Sequence, residues 1–255
     1  MELNGKTAIV TGSGRGIGRA LAVEFAANGA NVVICARREA DLAETAAIIR
    51  KNGGSVLSIP CDVTKRDQVD ALIARTLDSF GAIDVLFNNA ATFRIIGAVW
   101  EVDPDLWWAD VTTNLLGPML FCRGVLQHMM KRDEGIIINM SGGGGVVPLT
   151  GGSGYGSSKA ALIRFTETLA KELEKEGSNV LVLMMGPGLV KTETTLRQTT
   201  DPKGLKWIPS TKQVFDEGTE RAPEDCARQT VKLLKIASRE MNGRMFHTSM
   251  DLDDV

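Results

Sequence analysis

Short, almost wholly apolar runs recur along the chain, and nearly every one is followed by a longer amphipathic stretch. The runs at 7–11, 31–35, 55–60, 83–87, 135–140 and 179–184, with a weaker one at 244–248, are rich in β-branched residues and too short for helices. Strands that are apolar on both sides belong to a parallel sheet covered on both faces. Between them the spacing predicts helices over 17–28, 39–52, 65–80, 104–131, 153–175 and 223–238. This alternation predicts an α/β fold: one doubly wound parallel sheet of seven strands, flanked by helices and joined by right-handed crossovers. No repeat or low-complexity linker interrupts the 255 residues, so a single domain over 1–255 is expected.

Boundary residues sharpen the pattern. Thr64 and Asp67 form a candidate capping box, and Gly81 stands where a helix would end in a left-handed residue. Pro223 suits a first helical turn, with Glu224 and Asp225 beside the positive dipole end. The stretch 191–222 breaks the rhythm. It mixes Pro202, Gly204, Pro209 and Gly218 with Leu205, Trp207, Ile208 and Phe215, and reads as a long loop serving as a lid on the substrate side.

Composition excludes several classes. With 29 basic and 31 acidic residues the net charge is −2, so no strong field recruits nucleic acid or an anionic membrane. No apolar run approaches the ~18 residues of a spanning helix, and the N-terminus lacks the pattern of a secretory signal. Cys35, Cys61, Cys122 and Cys226 show no Cys-x-x-Cys spacing and read as buried reduced thiols. Two histidines make a metal site improbable, and the expected compartment is the cytoplasm.

The first strand runs directly into Gly12-Ser13-Gly14-Arg15-Gly16-Ile17-Gly18, and a helix follows at once. Glycines there let backbone amides approach a pyrophosphate, and the helix N-terminus adds its positive dipole. After the second strand an acid would bind the ribose hydroxyls of NAD. The chain instead reads Arg37-Arg38, with Arg15 nearby in the glycine loop. Three guanidiniums favour the 2′-phosphate of NADP(H), provided that Arg37 and Arg38 do not both turn to solvent.

Tyr155, the single tyrosine, precedes Lys159 by four residues, so a helix places both on one face. An ammonium beside a phenol lowers its pKa from ~10 towards that of a useful proton donor or acceptor. Ser141, at the end of the fifth strand, is a candidate to hold a substrate oxygen. Pro118 lies four residues after Asn114 and lacks an N–H, so the helix should kink there and leave the Asn114 carbonyl to another donor such as water.

Taken together, Thr11-Gly12-x-x-x-Gly16-x-Gly18, Asp62-Val63, Asn88-Asn89-Ala90, Asn114, a serine after the fifth strand, Tyr155-x-x-x-Lys159 and Pro187-Gly188-x-x-x-Thr192 resemble the short-chain dehydrogenase/reductase family over nearly the whole chain. The resemblance implies a Rossmann-type sheet in the order 3-2-1-4-5-6-7 and hydride transfer between a nicotinamide and a carbonyl or secondary alcohol. It makes Tyr155 the general acid/base and places Lys159 on the nicotinamide ribose. Ser141 would orient the carbonyl, and Asn114 would hold a water of a proton relay. Asp62 and Val63 would meet the adenine, and Asn88, Asn89 and Ala90 would line the cofactor. Pro187, Gly188 and Val190 would flank it, with Thr192 on the carboxamide. Homo-oligomers, tetramers or dimers, are expected from the same resemblance.

Two departures matter. The family serine usually stands thirteen residues before the tyrosine, where this chain has Gly142, and Ser141 is fourteen before. The run Gly142–Gly145 is expected to absorb the extra residue and bring Ser141 into place. The usual glycine after Asn-Asn-Ala is Ala91. The leading reading is an NADP(H)-dependent carbonyl reductase or alcohol dehydrogenase. The alternatives are the same chemistry with NAD(H), or a cofactor-binding regulator with a degenerate site. Phe93, Val146, Val147, Met185 and Trp207 are expected at the pocket, favouring an apolar, bulky substrate, while Arg94 reads as a solvated arginine. Trp107 and Trp108, being adjacent, face different sides of their helix.

Overall fold

The computed structural model describes residues 1–252; residues 253–255, which close the domain expected over 1–255, lie outside them. Seven strands, β1 (Thr7–Thr11), β2 (Asn31–Ala36), β3 (Ser55–Pro60), β4 (Val85–Asn88), β5 (Ile136–Met140), β6 (Leu181–Gly186) and β7 (Met245–His247), form one sheet in the order β3-β2-β1-β4-β5-β6-β7. Every pairing is parallel. Helices α1 (Gly16–Ala27), α2 (Glu39–Lys51) and α3 (Arg66–Phe80) connect the first four strands.

Alternation along each strand divides the interior into two layers. Ala8, Val10 and Ile34 face Leu21 and Phe25 of α1, Leu42 of α2, and Leu233 and Leu234 of α10 (Pro223–Ile236). Ile9, Val33, Leu86 and Ile137 face the opposite way, onto Leu72 of α3, Phe121 and Val125 of α5 (Gly117–Arg132), and Leu169 and Leu173 of α6 (Ser153–Lys175). Both faces are thus covered, which is why β1 is buried at all five positions. The four cysteines are buried and form no disulfide. Among the described residues no helix is long and apolar enough to cross a membrane.

Most boundary signals are used as expected. Gly81 closes α3 at φ 75°, and Pro223 opens α10 with Glu224 and Asp225 in its first turn. The capping box at Thr64 does not form. Lys65 is the N-cap of α3 without a side-chain bond, because the Thr64 hydroxyl donates to the nearer Asp62 carboxylate at 2.8 Å. The helix expected over 104–131 is divided into α4 (Pro104–Val111), a π turn at Thr112–Leu116, and α5. Pro118 removes an amide from the ladder, and the Gly117 N–H reaches back five residues to the Thr112 carbonyl.

The expected loop over 191–222 is instead three short helices, α7 (Glu193–Thr200), α8 (Pro202–Trp207) and α9 (Pro209–Glu217). Each start carries a helix signal. Thr192 caps α7, Asp201 caps α8 ahead of Pro202, and Pro209 opens α9.

Candidate active site

A cleft of about 1270 Å³ runs across the carboxyl ends of the strands, from the glycine loop to Tyr155. Open parallel sheets bind ligands at this edge, where the strand order reverses. Gly12, Gly14, Arg15, Gly16, Ile17 and Gly18 line one end. Gly12 (φ 64°) and Gly16 (φ 53°) adopt conformations that favour glycine, and α1 starts at Gly16. A Cβ on Gly18 would stand 2.3 Å from the Gly12 carbonyl oxygen, so the absence of a side chain at this position is what lets α1 pack under the loop. Asn89 ties the loop to β4, its amide donating to the Thr11 and Gly12 carbonyls at 2.9 and 3.2 Å, while the Thr11 hydroxyl accepts the Asn89 and Ala90 N–H groups at 3.0 Å. This backbone cradle at a helix N-terminus fits a pyrophosphate.

Two residues expected at the cofactor do other work. Ser13 is buried and absent from the cleft lining; its hydroxyl accepts the Cys35 N–H at 2.9 Å and so pins the loop to β2. Asn88 also lies beneath the cleft, donating to Asn139 Oδ1 at 2.9 Å, because alternation turns it into the layer under α5 and α6.

Arg37 and Arg38 line the cleft with Arg15. Burial and the neighbouring Arg38 and Arg37 charges pull the Arg15 guanidinium down from its ordinary value. Such a like-charge cluster calls for an anion. In this structure the Glu193 carboxylate supplies one, contacting Arg15 and lying 3.7 Å from Arg38, which also pairs with Asp41 at 2.6 Å. Glu193 was not legible as a partner, since 155 residues separate it from Arg38. Asp62, Val63, Ala90, Pro187, Gly188, Val190 and Thr192 line the stretch between the two ends. Burial raises the Asp62 carboxyl, but the Thr64 amide and hydroxyl and the Arg37 charge outweigh it and hold the group below its usual range. Thr192 touches the glycine loop, its methyl 3.4 Å from a Cβ built on Gly16.

At the other end, Lys159 is 2% exposed and donates to the Met140 carbonyl at 2.7 Å. Its Nζ lies 5.7 Å from the centre of the Tyr155 ring. Burial pushes Tyr155 up to about 12 and Lys159 down to about 8. In the free protein burial therefore moves the tyrosine opposite to the expected fall. Asn114, wholly buried in the π turn, accepts the Thr92 N–H at 2.7 Å and donates to the Thr92 carbonyl and to Ser158 Oγ at 2.9 and 3.0 Å. Its side chain is thus engaged by protein.

Gly142 is the residue set against Tyr155 Oη, and Ser141 stands beside it at the cleft wall. The Ser141 N–H continues the ladder to the Met185 carbonyl, and Gly142 is extended at φ −165°. Consecutive residues of an extended chain point to opposite sides, and a Cβ on Gly142 would stand 2.2 Å from Tyr155 Oη. Position 142 faces the tyrosine, as the family spacing has it, and the hydroxyl presses against its bare backbone. The Ser141 hydroxyl is buried without a hydrogen-bond partner at the cleft wall.

Of the expected pocket residues, Phe93 and Val147 line the cleft. Val146 is turned to solvent, Met185 faces the layer under α1 and α10, and Trp207 packs behind Phe93 with Ile96 and Ile208. Leu149, Ile208, Thr211 and Val214 replace them, three of these from the segment expected as a loop. Arg94 is half-buried and lines the cleft. Trp107 packs on α6, donating to Ser153 Oγ at 3.1 Å, while Trp108 is exposed at the cleft mouth.

The profile of the short chain dehydrogenase family matches residues 6–203. A short chain dehydrogenase of Pseudocercospora fijiensis is 38% identical over 193 residues, covering 75% of this chain and 62% of that protein. The 3-oxoacyl-[acyl-carrier-protein] reductase of Synechocystis sp. is 37% identical over 208 residues, covering 81% of this chain and 83% of that protein. Among solved structures, a point variant of actinorhodin polyketide ketoreductase with NADPH superposes with a TM-score of 0.86 at 28% identity, covering 95% of each chain. With the sheet order, the glycine cradle and the Tyr155–Lys159 pair in one cleft, these matches establish that the chain belongs to the short-chain dehydrogenases/reductases, oxidoreductases that act on CH–OH and C=O groups with a nicotinamide cofactor.

Proposed function

We propose that the protein is an NADP(H)-dependent carbonyl reductase, working reversibly on secondary alcohols, with an apolar and fairly bulky substrate. The observation that carries this reading is the position of Arg15, Arg37 and Arg38 at one end of the cleft that holds Tyr155 and Lys159 at the other. Bidentate guanidiniums suit a 2′-phosphate, and Phe93, Val147, Leu149 and Ile208 suit an apolar substrate body. The reading takes residues 1–255 as one domain, with 191–222 covering the substrate side, and takes the active form to be a cytoplasmic homodimer or homotetramer.

The bound cofactor would supply or accept the hydride. Gly12 to Gly18 would hold its pyrophosphate; Asp62, Val63, Asn89 and Ala90 its adenosine side; Lys159, Pro187, Gly188, Val190 and Thr192 its nicotinamide side. Tyr155 then donates the proton from Oη to the oxygen of the reduced carbonyl. The phenol, pushed up by burial, carries that proton at neutral pH. The phenolate left behind would regain its proton from the Lys159 ammonium, which would in turn take one from a water held by the Asn114 carbonyl. With Gly142 facing Tyr155, the substrate oxygen meets the tyrosine without a serine from that position, and Ser141 contributes from the wall.

Following cofactor oxidation with NADPH and NADH over a panel of aromatic ketones, quinones, ketosteroids and β-ketoacyl esters tests this reading. NADPH-dependent turnover abolished by Tyr155→Phe supports it; turnover with NADH alone overturns the cofactor assignment. Gly142 favours a second reading, a cofactor-binding regulator with a weakened site. Tight NADPH binding without turnover across the panel, unchanged in Ser141→Ala, is the result that favours the regulator.

A further inference from the structure

The stretch after β4 is held by two side chains from successive turns of one helical segment. Asn114 takes both backbone groups of Thr92. Asp110, four residues earlier on α4, accepts the Arg94 and Ile95 N–H groups at 2.8 and 3.3 Å through Oδ2. Phe93 is the residue between these two clamps, and its ring lies flat on Tyr155, with centroids 4.7 Å apart and planes 12° from parallel. Close approach is needed behind it, since a Cβ on Gly152 would stand 2.8 Å from Phe93 Cζ.

Asp110 is wholly buried, and its second oxygen, Oδ1, has no hydrogen-bond partner. A buried carboxylate is costly unless it is hydrogen-bonded, and bonds from amides to a charged oxygen are the strong kind. A leucine or valine would fill this helix position more cheaply. The return for the carboxylate is a rigid loop, and what that loop carries to the site is Phe93.

We propose that Asp110 is a positioning residue for Tyr155: by holding the Arg94 and Ile95 amides it keeps Phe93 flat against the phenol ring and so aims the reacting hydroxyl. The torsion that turns a tyrosine ring is broad, and nothing intrinsic fixes its plane. A phenolic hydrogen prefers the ring plane, so fixing that plane fixes where the proton points. The stack also covers one face of the ring.

Tyr155 is the single tyrosine of the chain, so protein labelled with ¹³C-tyrosine reports one ring. Phe93→Leu and Asp110→Ala are expected to move the Tyr155 ring resonances in the same direction, as the ring current of Phe93 is lost. Both should lower kcat about tenfold while the NADPH Kd stays within about twofold. Asp110→Asn retains an acceptor oxygen and should keep the wild-type signals and turnover. An Asp110→Ala protein that melts earlier but shows unmoved Tyr155 signals overturns the proposal. Should the alanine variant not fold, displaced signals in Asp110→Asn, or unmoved ones in Phe93→Leu, overturn it equally. The inference rests on the proposed proton-donor role of Tyr155, but the ring signals are read without substrate. Absence of turnover with the expected signals therefore counts against that role alone.

Discussion

The two ends of the cleft are built from different material. The phosphate end is backbone: glycines at fixed spacing, a helix start, and the Thr11–Asn89 bonds that hold the loop to β4. The chemical end is side chain: Tyr155 and Lys159 from α6, Asn114 from a π turn, Phe93 from a loop and Gly142 from beyond β5. A backbone cradle tolerates little substitution but is made by local sequence. A side-chain constellation is set by how distant elements pack, and each member can fail alone.

The sharpest break between the ends is Tyr155→Phe. Turnover is expected to fall about 10³-fold with the NADPH Kd unchanged, measured by steady-state kinetics and cofactor fluorescence. Gly18→Ala should do the reverse. Its methyl meets the Gly12 carbonyl, which cannot move freely, so binding of NADPH and NADH alike should weaken about 30-fold by titration. Gly142→Ser puts a Cβ where the Tyr155 hydroxyl now lies. It should lower kcat about tenfold if the site works as built, whereas a rise would favour the weakened-site reading.

Within the phosphate end, Arg38→Ala should weaken NADPH about tenfold and leave NADH within about twofold. Glu193→Gln removes the carboxylate that competes for Arg15 and Arg38, so it should tighten NADPH about threefold by the same titration. The smallest effect is on stability. Burial lowers Lys159 to about 8, below its unfolded value, so the unfolded chain binds more protons between about pH 8 and 10.5 and stability rises with pH across that window. Lys159→Met should be more stable than wild type at pH 7, by about 1–3 kcal/mol in denaturant unfolding, with the gap closing towards pH 10.

The strands, their parallel pairing and the glycine loop were legible because each depends on a short run of residues. Pro118 likewise announced the break in its helix, which the π turn beside Asn114 confirms. The segment 191–222 was misread although Pro202 and Pro209 stand at helix starts, because its apolar residues follow no single face over a helix of ordinary length. Met185 was expected at the pocket, but strand alternation turns it into the opposite layer. Asp110 offered one signal, an acid four residues before Asn114 on the same helix face, but its loop partners were not readable.

By itself the sequence determined the doubly wound sheet, the glycine loop that leads into α1 and the Tyr155–Lys159 spacing, since apolar period, glycine placement and an i, i+4 interval act over a few residues. Only the tertiary structure decided that position 142 faces the phenol, that Ser13 and Asn88 serve the scaffold, that Glu193 reaches the arginines, and that burial reverses the expected shift of Tyr155. These depend on which groups are brought within a few ångströms, and on how much water remains between them, after segments far apart in the chain have packed.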